Sequence, residues 1–183
     1  MTAPPRPWAR EVLRTWFHEL GSKDWYGGGE AVDALLRRRF ASDLERLSVL
    51  PATDFLTDPR TALAAILLFD QIPRNIHRGS AEAFATDPLA IAITHGLIEA
   101  GWLEKLTKDE RQFALMPLMH SEQIADQDLS VELFARHVPG ALDFARQHRE
   151  MIARFGRFPH RNSLLGRESS AAEKEAIAEG FSW

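Results

Sequence analysis

The chain has 183 residues, 45% of them apolar, and is long enough to bury roughly 70% of the surface that its unfolded form would expose. A net charge of −4 argues against bulk affinity for nucleic acid. The absence of cysteine excludes disulfides and thiolate-ligated metal sites, and it is typical of a cytoplasmic protein. Since no window approaches about 18 uninterrupted apolar residues, we expect neither a membrane span nor a signal peptide. No linker divides the sequence, so a single domain over residues 1–183 is predicted.

The composition favours helix over strand. The chain holds 25 Ala and 22 Leu, which form helices well, against 22 β-branched residues. Apolar residues recur at helical spacing. The helices are predicted at about 7–20, 30–47, 59–71, 88–100, 108–137 with a break near Pro117, 140–155 and 171–179. Short connections indicate antiparallel neighbours, so we predict an all-α fold of antiparallel helix pairs, a tetratricopeptide-like helical bundle.

Four of these helices have a start signal in the sequence. Asp58 and Asp87 each precede a proline, so each carboxylate is expected to cap a helix that begins with that proline. Two later starts have the pattern of a capping box, Thr107 with Glu110 and Ser170 with Glu173. Four independent signals of this kind support a fold made of several helices.

A carboxylate interrupts the apolar stripe of the third predicted helix. Asp70 stands where helical spacing places the next buried residue, so it is expected to face inward. A buried carboxylate needs a partner, and Arg74 lies one turn later. Pro73 is expected to end the helix there, which leaves Gln71 and Asn75 at its mouth. A purely structural ion pair explains this pattern as well as a functional site does.

Three further polar residues stand where apolar ones are expected. His120 and Glu122 each continue an apolar face of the same segment, and His148 lies on the apolar stripe of the helix near the C-terminus. A histidine and a glutamate two residues apart do not share a helical face, so this is no metalloprotease motif. Interior polar groups need partners and tend to collect in one place, so these residues are expected to converge.

A loop rich in arginine follows that helix. Between Glu150 and Glu168 the sequence has four arginines and one histidine but no acidic residue, although the whole chain is negative. Guanidinium groups on a shaped loop suit the oxygens of carboxylates or phosphates. The alternative is that these arginines pair with internal acids such as Asp70, Glu122 or Asp126.

Four motifs in order, at residues 70–79, 83–88, 116–122 and 154–167, closely resemble the bacterial domain-of-unknown-function family 924. The likeness covers nearly the whole chain. It implies an all-helical, tetratricopeptide-like fold, and it brings no established activity and no agreed catalytic residues. His77 departs from the pattern of the family, so we exclude it from the site.

The first functional hypothesis is a polar pocket that binds a small anionic molecule, with or without acid–base catalysis. The catalytic candidates are His120 and Glu122 for proton transfer and Asp70 to orient a neighbour. The substrate-binding candidates are Gln71, Arg74, Asn75, Arg154, Arg157, His160, Arg161 and Asn162. No cofactor is expected, and the sequence names neither a substrate nor a reaction.

The second hypothesis is a tetratricopeptide-like interaction module that holds a peptide in a helical groove. It requires exposed aromatic side chains, for which Trp8, Trp25, Tyr26 and residues 181–183 are the candidates. A metal centre built from some of the His, Glu and Asp residues is a third interpretation. No pair of these residues has diagnostic spacing, so we expect no metal.

Overall fold

The computed structural model describes residues 6–180. Within that range the chain is helical and contains no strand, so the all-α prediction is confirmed. The helices are α1 Pro7–Arg14, α2 Ser22–Gly27, α3 Glu30–Leu47, α4 Pro59–Ile66, α5 Ile72–Ile76, α6 Asp87–Glu99, α7 Lys108–His120, α8 Ile124–His137, α9 Leu142–Phe155 and α10 Ala171–Ala178. Among the residues described, none of these helices is both long and apolar enough to span a bilayer.

The chain divides into two compact units, of which unit 1 ends at Pro117 and unit 2 begins at Leu118. Unit 1 therefore holds α1 to α6 and most of α7, whereas unit 2 holds the last residues of α7 with α8, α9 and α10. The interpretation of the chain as a single domain stays a prediction.

The centre of unit 1 is α4 together with the π-helical turn Leu67–Gln71 that continues it. Every residue from 61 to 71 is buried, which is typical of a helix that is apolar on all sides and enclosed by others. Helices α1 and α6 pack against α4. This placement explains why the carboxylate of Asp70 lies in the interior, as the helical spacing predicts.

Asp58 caps α4 as predicted. Its carboxylate accepts hydrogen bonds from the backbone N–H groups of Arg60 and Thr61, each at 2.9 Å, and from the Thr61 hydroxyl at 2.7 Å. Burial alone would raise the pKa of Asp58, but the hydrogen bonds from Thr61 and its neighbours outweigh burial and lower that pKa. The carboxylate is therefore held in its ionised form at the start of the helix.

Replacing this cap should destabilise the protein. We expect Asp58→Ala to lower the free energy of unfolding by about 1–2 kcal/mol, because two N–H groups of α4 lose their acceptor. Urea denaturation at neutral pH measures the change. Asp43→Ala is the control, because Asp43 only pairs with exposed Arg46 on α3 and its loss should cost about 0.5 kcal/mol or less. Equal losses in the two variants would contradict the capping role.

Two predictions about proline positions in unit 1 are wrong. Pro73 does not end the helix, because the π-helical turn precedes it and α5 continues to Ile76. A proline leaves the carbonyl four residues before it without its helical donor, and here the hydroxyl of Thr86 donates to the Phe69 carbonyl at 2.6 Å. Asp87 does not cap α6: it is the first residue of the helix, and its carboxylate binds Arg74 instead.

In unit 2, α8 and α9 pack against each other and are joined by the short turn Pro139–Ala141. Such a short connection makes the pair antiparallel. The break predicted near Pro117 lies instead at residues 121–123, because Pro117 is accommodated inside α7. Met151 and Ile152 of α9 form a buried apolar cluster with Phe158 and with Ala176 of α10.

Both predicted capping boxes are present. Thr107 and Glu110 exchange side-chain and backbone hydrogen bonds at the start of α7. Ser170 and Glu173 do the same at the start of α10. Between residues 20 and 30, where the sequence predicts no helix, the chain forms the short helix α2.

Candidate functional site

The residues predicted for the site fall into both units. Asp70, Gln71, Arg74 and Asn75 lie in unit 1. Those in unit 2 are His120, Glu122, Arg154, Arg157, His160, Arg161 and Asn162. Each unit therefore contains its own group of polar side chains, and the two groups differ in charge and in how the charges are paired.

The group in unit 1 is a buried ion-pair network centred on Arg74. Its guanidinium lies 3.3 Å from the fully buried carboxylate of Asp70, as the sequence predicts. It also donates two hydrogen bonds to Asp87, at 2.8 and 2.9 Å. Burial alone would lower the pKa of Arg74, but the carboxylates of Asp70 and Asp87 outweigh it and raise that pKa. Arg74 therefore keeps its charge between two buried carboxylates.

The remaining predicted residues of unit 1 extend this network. The Gln71 side-chain amide donates to Asp70 at 2.6 Å and lies 3.4 Å from the sulfur of Met116. Asn75 donates to the backbone carbonyl of Gln71 at 3.0 Å and accepts from Arg78 at 3.2 Å. These contacts tie the π-helical turn to α5 and fix the side chains in place.

The group in unit 2 lies at and beside the buried ring of Phe158, and we call it the basic cluster: His120, His148, His160 and Arg161. The rings of His148 and His160 lie 5.5 and 5.6 Å from the Phe158 ring, and the Arg161 guanidinium lies 4.6 Å from it. The ring of His120 lies 6.3 Å from that of His148. Three imidazoles and one guanidinium therefore share a small, mostly buried volume of unit 2.

His148 is a member of the basic cluster whose pKa is strongly lowered. Its Nδ1 donates to the backbone carbonyl of Phe144 at 2.8 Å, because a carbonyl can only accept. Burial, together with the charges of His120, His160 and Arg161, lowers its pKa to about 3. At neutral pH His148 is therefore a neutral imidazole with its proton on Nδ1.

Glu122 holds the loop that carries Phe158. Its carboxylate accepts two hydrogen bonds from Arg167, at 2.8 and 2.9 Å, and one from the backbone N–H of Phe158 at 2.8 Å. Burial alone would raise the pKa of Glu122, but these hydrogen bonds and the charge of Arg161 outweigh it and lower that pKa. A carboxylate held in this way positions the ring around which the basic cluster gathers.

Other arginines of the loop pair with acids of the same unit. Arg157 donates to Glu173 at 2.7 and 3.0 Å, and Asn162 donates to Glu173 at 3.4 Å. Arg154 lies beside Glu150, with its guanidinium over the ring of Phe155. The alternative that arginines close on internal acids thus describes part of this loop, including the pair of Arg167 and Glu122.

Sequence reasoning missed several residues at this site. His148 is recognisable from its place on an apolar stripe, and Arg167 lies within the last family motif, yet neither was assigned a role. Gln127, which is fully buried on α8, has no signal in the sequence. Its side-chain N–H groups donate to the backbone carbonyls of Met119 and Ser121, each at 2.7 Å.

Within residues 6–180, no three His, Asp or Glu side chains are grouped so that they could hold a metal ion. Two of the aromatic residues that are expected to line a peptide groove pack instead against other aromatic rings of unit 1. Trp8 packs edge-on against Phe55, and Trp25 packs against Phe113. Tyr26 is 61% exposed, and residues 181–183 lie outside the described range.

Comparison with known proteins gives two matches. The family model described as "Bacterial protein of unknown function (DUF924)" matches residues 12–180. The solved structure of ATU0120, a protein of unknown function from Agrobacterium tumefaciens, is 34% identical to the chain, with a TM-score of 0.88. That similarity covers 94% of this chain and 97% of the other. No curated protein matches the chain.

Proposed function

The chain belongs to the bacterial DUF924 family of proteins of unknown function, and from that premise we propose that its unit 2 binds a small anionic molecule at the basic cluster. The observation that carries the proposal is the gathering of three basic side chains on one buried aromatic ring, with His120 beside one of them. Guanidinium and imidazole N–H groups are strong donors to carboxylate and phosphate oxygens.

The members of the basic cluster have different roles in this proposal. Arg161 and His160 hold the anion, since both contact the ring of Phe158 from the arginine-rich loop. Any proton transfer falls to His120, which is half-buried and adjacent to His148. Glu122, ionised and bound by Arg167, acts by positioning Phe158.

The other predicted residues keep supporting roles. Arg157, Asn162 and Arg154 shape the loop through Glu173, Glu150 and Phe155. Two roles stay predictions for unit 1: Asp70 as a catalytic residue that orients a neighbour, and Gln71, Arg74 and Asn75 as ligand-binding residues.

A thermal-shift screen against sulfate, phosphate, acetate and citrate tests the proposal. An anion present at 100 times its dissociation constant should stabilise the protein by about 2.7 kcal/mol, because it binds only the folded state. His160→Gln should weaken binding of that anion about tenfold because it removes an N–H donor to the anion, and His120→Gln should weaken it as well because it removes a basic side chain from the cluster.

The matched control is Arg149→Gln, because Arg149 lies on α9 but pairs with Asp128 at the surface. It should bind the anion as the unchanged protein does. The proposal is wrong if none of the anions stabilises the protein, or if the two histidine variants bind as tightly as the control.

A further inference from the structure

Beside the basic cluster, unit 2 buries a hydrogen-bond acceptor that has no donor among residues 6–180. This acceptor is the side-chain oxygen Oε1 of Gln127 on α8, a residue with no exposed surface. The orientation of the amide is fixed, because its nitrogen donates to two carbonyls, those of Met119 and Ser121. These two residues flank His120, so the Gln127 amide lies directly against the backbone that carries one member of the basic cluster.

Leaving such an oxygen without a donor is costly. A buried acceptor that has given up its water without gaining a partner destabilises a fold. The amide nitrogen of Gln127 donates two hydrogen bonds, so the only atom of this amide that lacks a described partner is Oε1. A donor brought by a ligand would remove that cost, and an acceptor oxygen brought there would add repulsion.

Unit 2 therefore combines the N–H donors of the basic cluster with an acceptor on α8, the Oε1 of Gln127. A bare anion such as sulfate has no proton to donate to that acceptor.

We propose that Gln127 is a specificity residue, and that the anion bound in unit 2 carries an O–H group beside its charged oxygens, which Gln127 Oε1 accepts. The ligand class is a hydroxyl-bearing oxyanion, either a protonated phosphate or a hydroxycarboxylate. This inference rests on the proposed function, because it refines which anion the basic cluster takes. Sites that pair with a ligand hydroxyl discriminate strongly against the analogue that lacks it.

Two pairs of probes test this inference on the unmodified protein by calorimetric titration at about pH 6. Phosphate carries an O–H at that pH and sulfate does not, whereas glycolate and acetate have equal charge and differ by one hydroxyl. We expect the hydroxyl-bearing member of at least one pair to bind about tenfold more tightly. Preference within the first pair alone identifies a phosphate ligand, and preference within the second identifies a hydroxycarboxylate.

The variant Gln127→Met connects that preference to this residue. It should bind both members of the preferred pair equally, while Gln147→Met, the same change at an exposed position of α9, keeps the preference. Where Gln127→Met does not fold, the NMR signals of the Gln127 side-chain amide in the unmodified protein test the same role. They should shift with the hydroxyl-bearing anion and not with its partner.

The outcomes separate this inference from the proposed function. Equal binding of the two members in both pairs would leave the anion site in place and overturn the role of Gln127. Preference that survives in Gln127→Met, or amide signals that respond equally to both members, would overturn it as well. If none of the four anions binds, the proposed function fails and the inference fails with it.

Discussion

Acidification from about pH 7 to about pH 4 should destabilise the protein through His148, by about 3 kcal/mol for this residue alone. Burial and the charges of His120, His160 and Arg161 hold the pKa of His148 at about 3, against 6.5 for a free imidazole. Below pH 6.5 the unfolded chain therefore takes up a proton that the folded chain does not. The contribution of His148 to stability is complete above pH 6.5 and is lost as the pH falls from there toward 3.

Urea denaturation of the protein and of His148→Gln at several pH values measures this effect. Between about pH 6.5 and about pH 5 the free energy of unfolding of the unmodified protein should fall by about 1 kcal/mol per pH unit more than that of the variant. The pKa values of Asp58, Glu122 and Glu173 are lowered. Protonation of these carboxylates therefore destabilises the fold only at pH values below this range.

The control for this experiment is His18→Gln, because His18 is exposed at the surface of unit 1. It should follow the pH dependence of the unmodified protein. Parallel curves for the unmodified protein and His148→Gln would show that His148 takes up its proton equally in both states, contrary to the expectation.

Removing the cation from the buried network of unit 1 should cost about 3–5 kcal/mol. In Arg74→Met the apolar stem is kept, but the carboxylates of Asp70 and Asp87 lose a cation that they share. Asp70 has no exposed surface, so water cannot replace the lost hydrogen bonds without opening the helix end. Chemical denaturation at neutral pH measures the loss.

Two further variants show that burial causes the large effect. Arg78→Met removes a cation of the same unit whose side chain is 55% exposed, and its pair with Asp33 should cost about 1 kcal/mol or less. Adding Asp70→Asn to Arg74→Met should restore part of the stability, because a neutral amide costs less to bury than a carboxylate. If Arg74→Met and Arg78→Met are equally destabilised, the network does not behave as a buried one.

Local patterns predict most of the helices of this protein. The bounds of α3 agree with its apolar spacing, and the caps at Asp58, Thr107 and Ser170 are as the sequence indicates. The helix through Pro73 could not be predicted, because it depends on the hydroxyl of Thr86, which reaches the Phe69 carbonyl only after folding. Local sequence signals therefore predict helix starts well. A helix that continues past a proline is harder to predict, because it can depend on a side chain that is distant in the sequence.

The candidate site was predictable to the extent that it depends on helical spacing. The inward direction of Asp70 and His148 follows from their place on apolar stripes, and Arg74 as a partner follows from one helical turn. The partners that lie far apart in the chain did not follow. Arg167 is 45 residues from Glu122, and Gln127 reaches carbonyls at the end of a different helix, so both depend on tertiary packing.

Glu173 joins two parts of unit 2 that the sequence presents as separate. The same carboxylate completes the capping box of α10 and accepts hydrogen bonds from Arg157 and Asn162 in the arginine-rich loop. Fraying of α10 would therefore release the loop, and disorder in the loop would remove the cap. The amide hydrogens of α10 and of the arginine-rich loop should therefore exchange as one cooperative unit. The stability of α10 then sets the stability of the loop that carries His160 and Arg161.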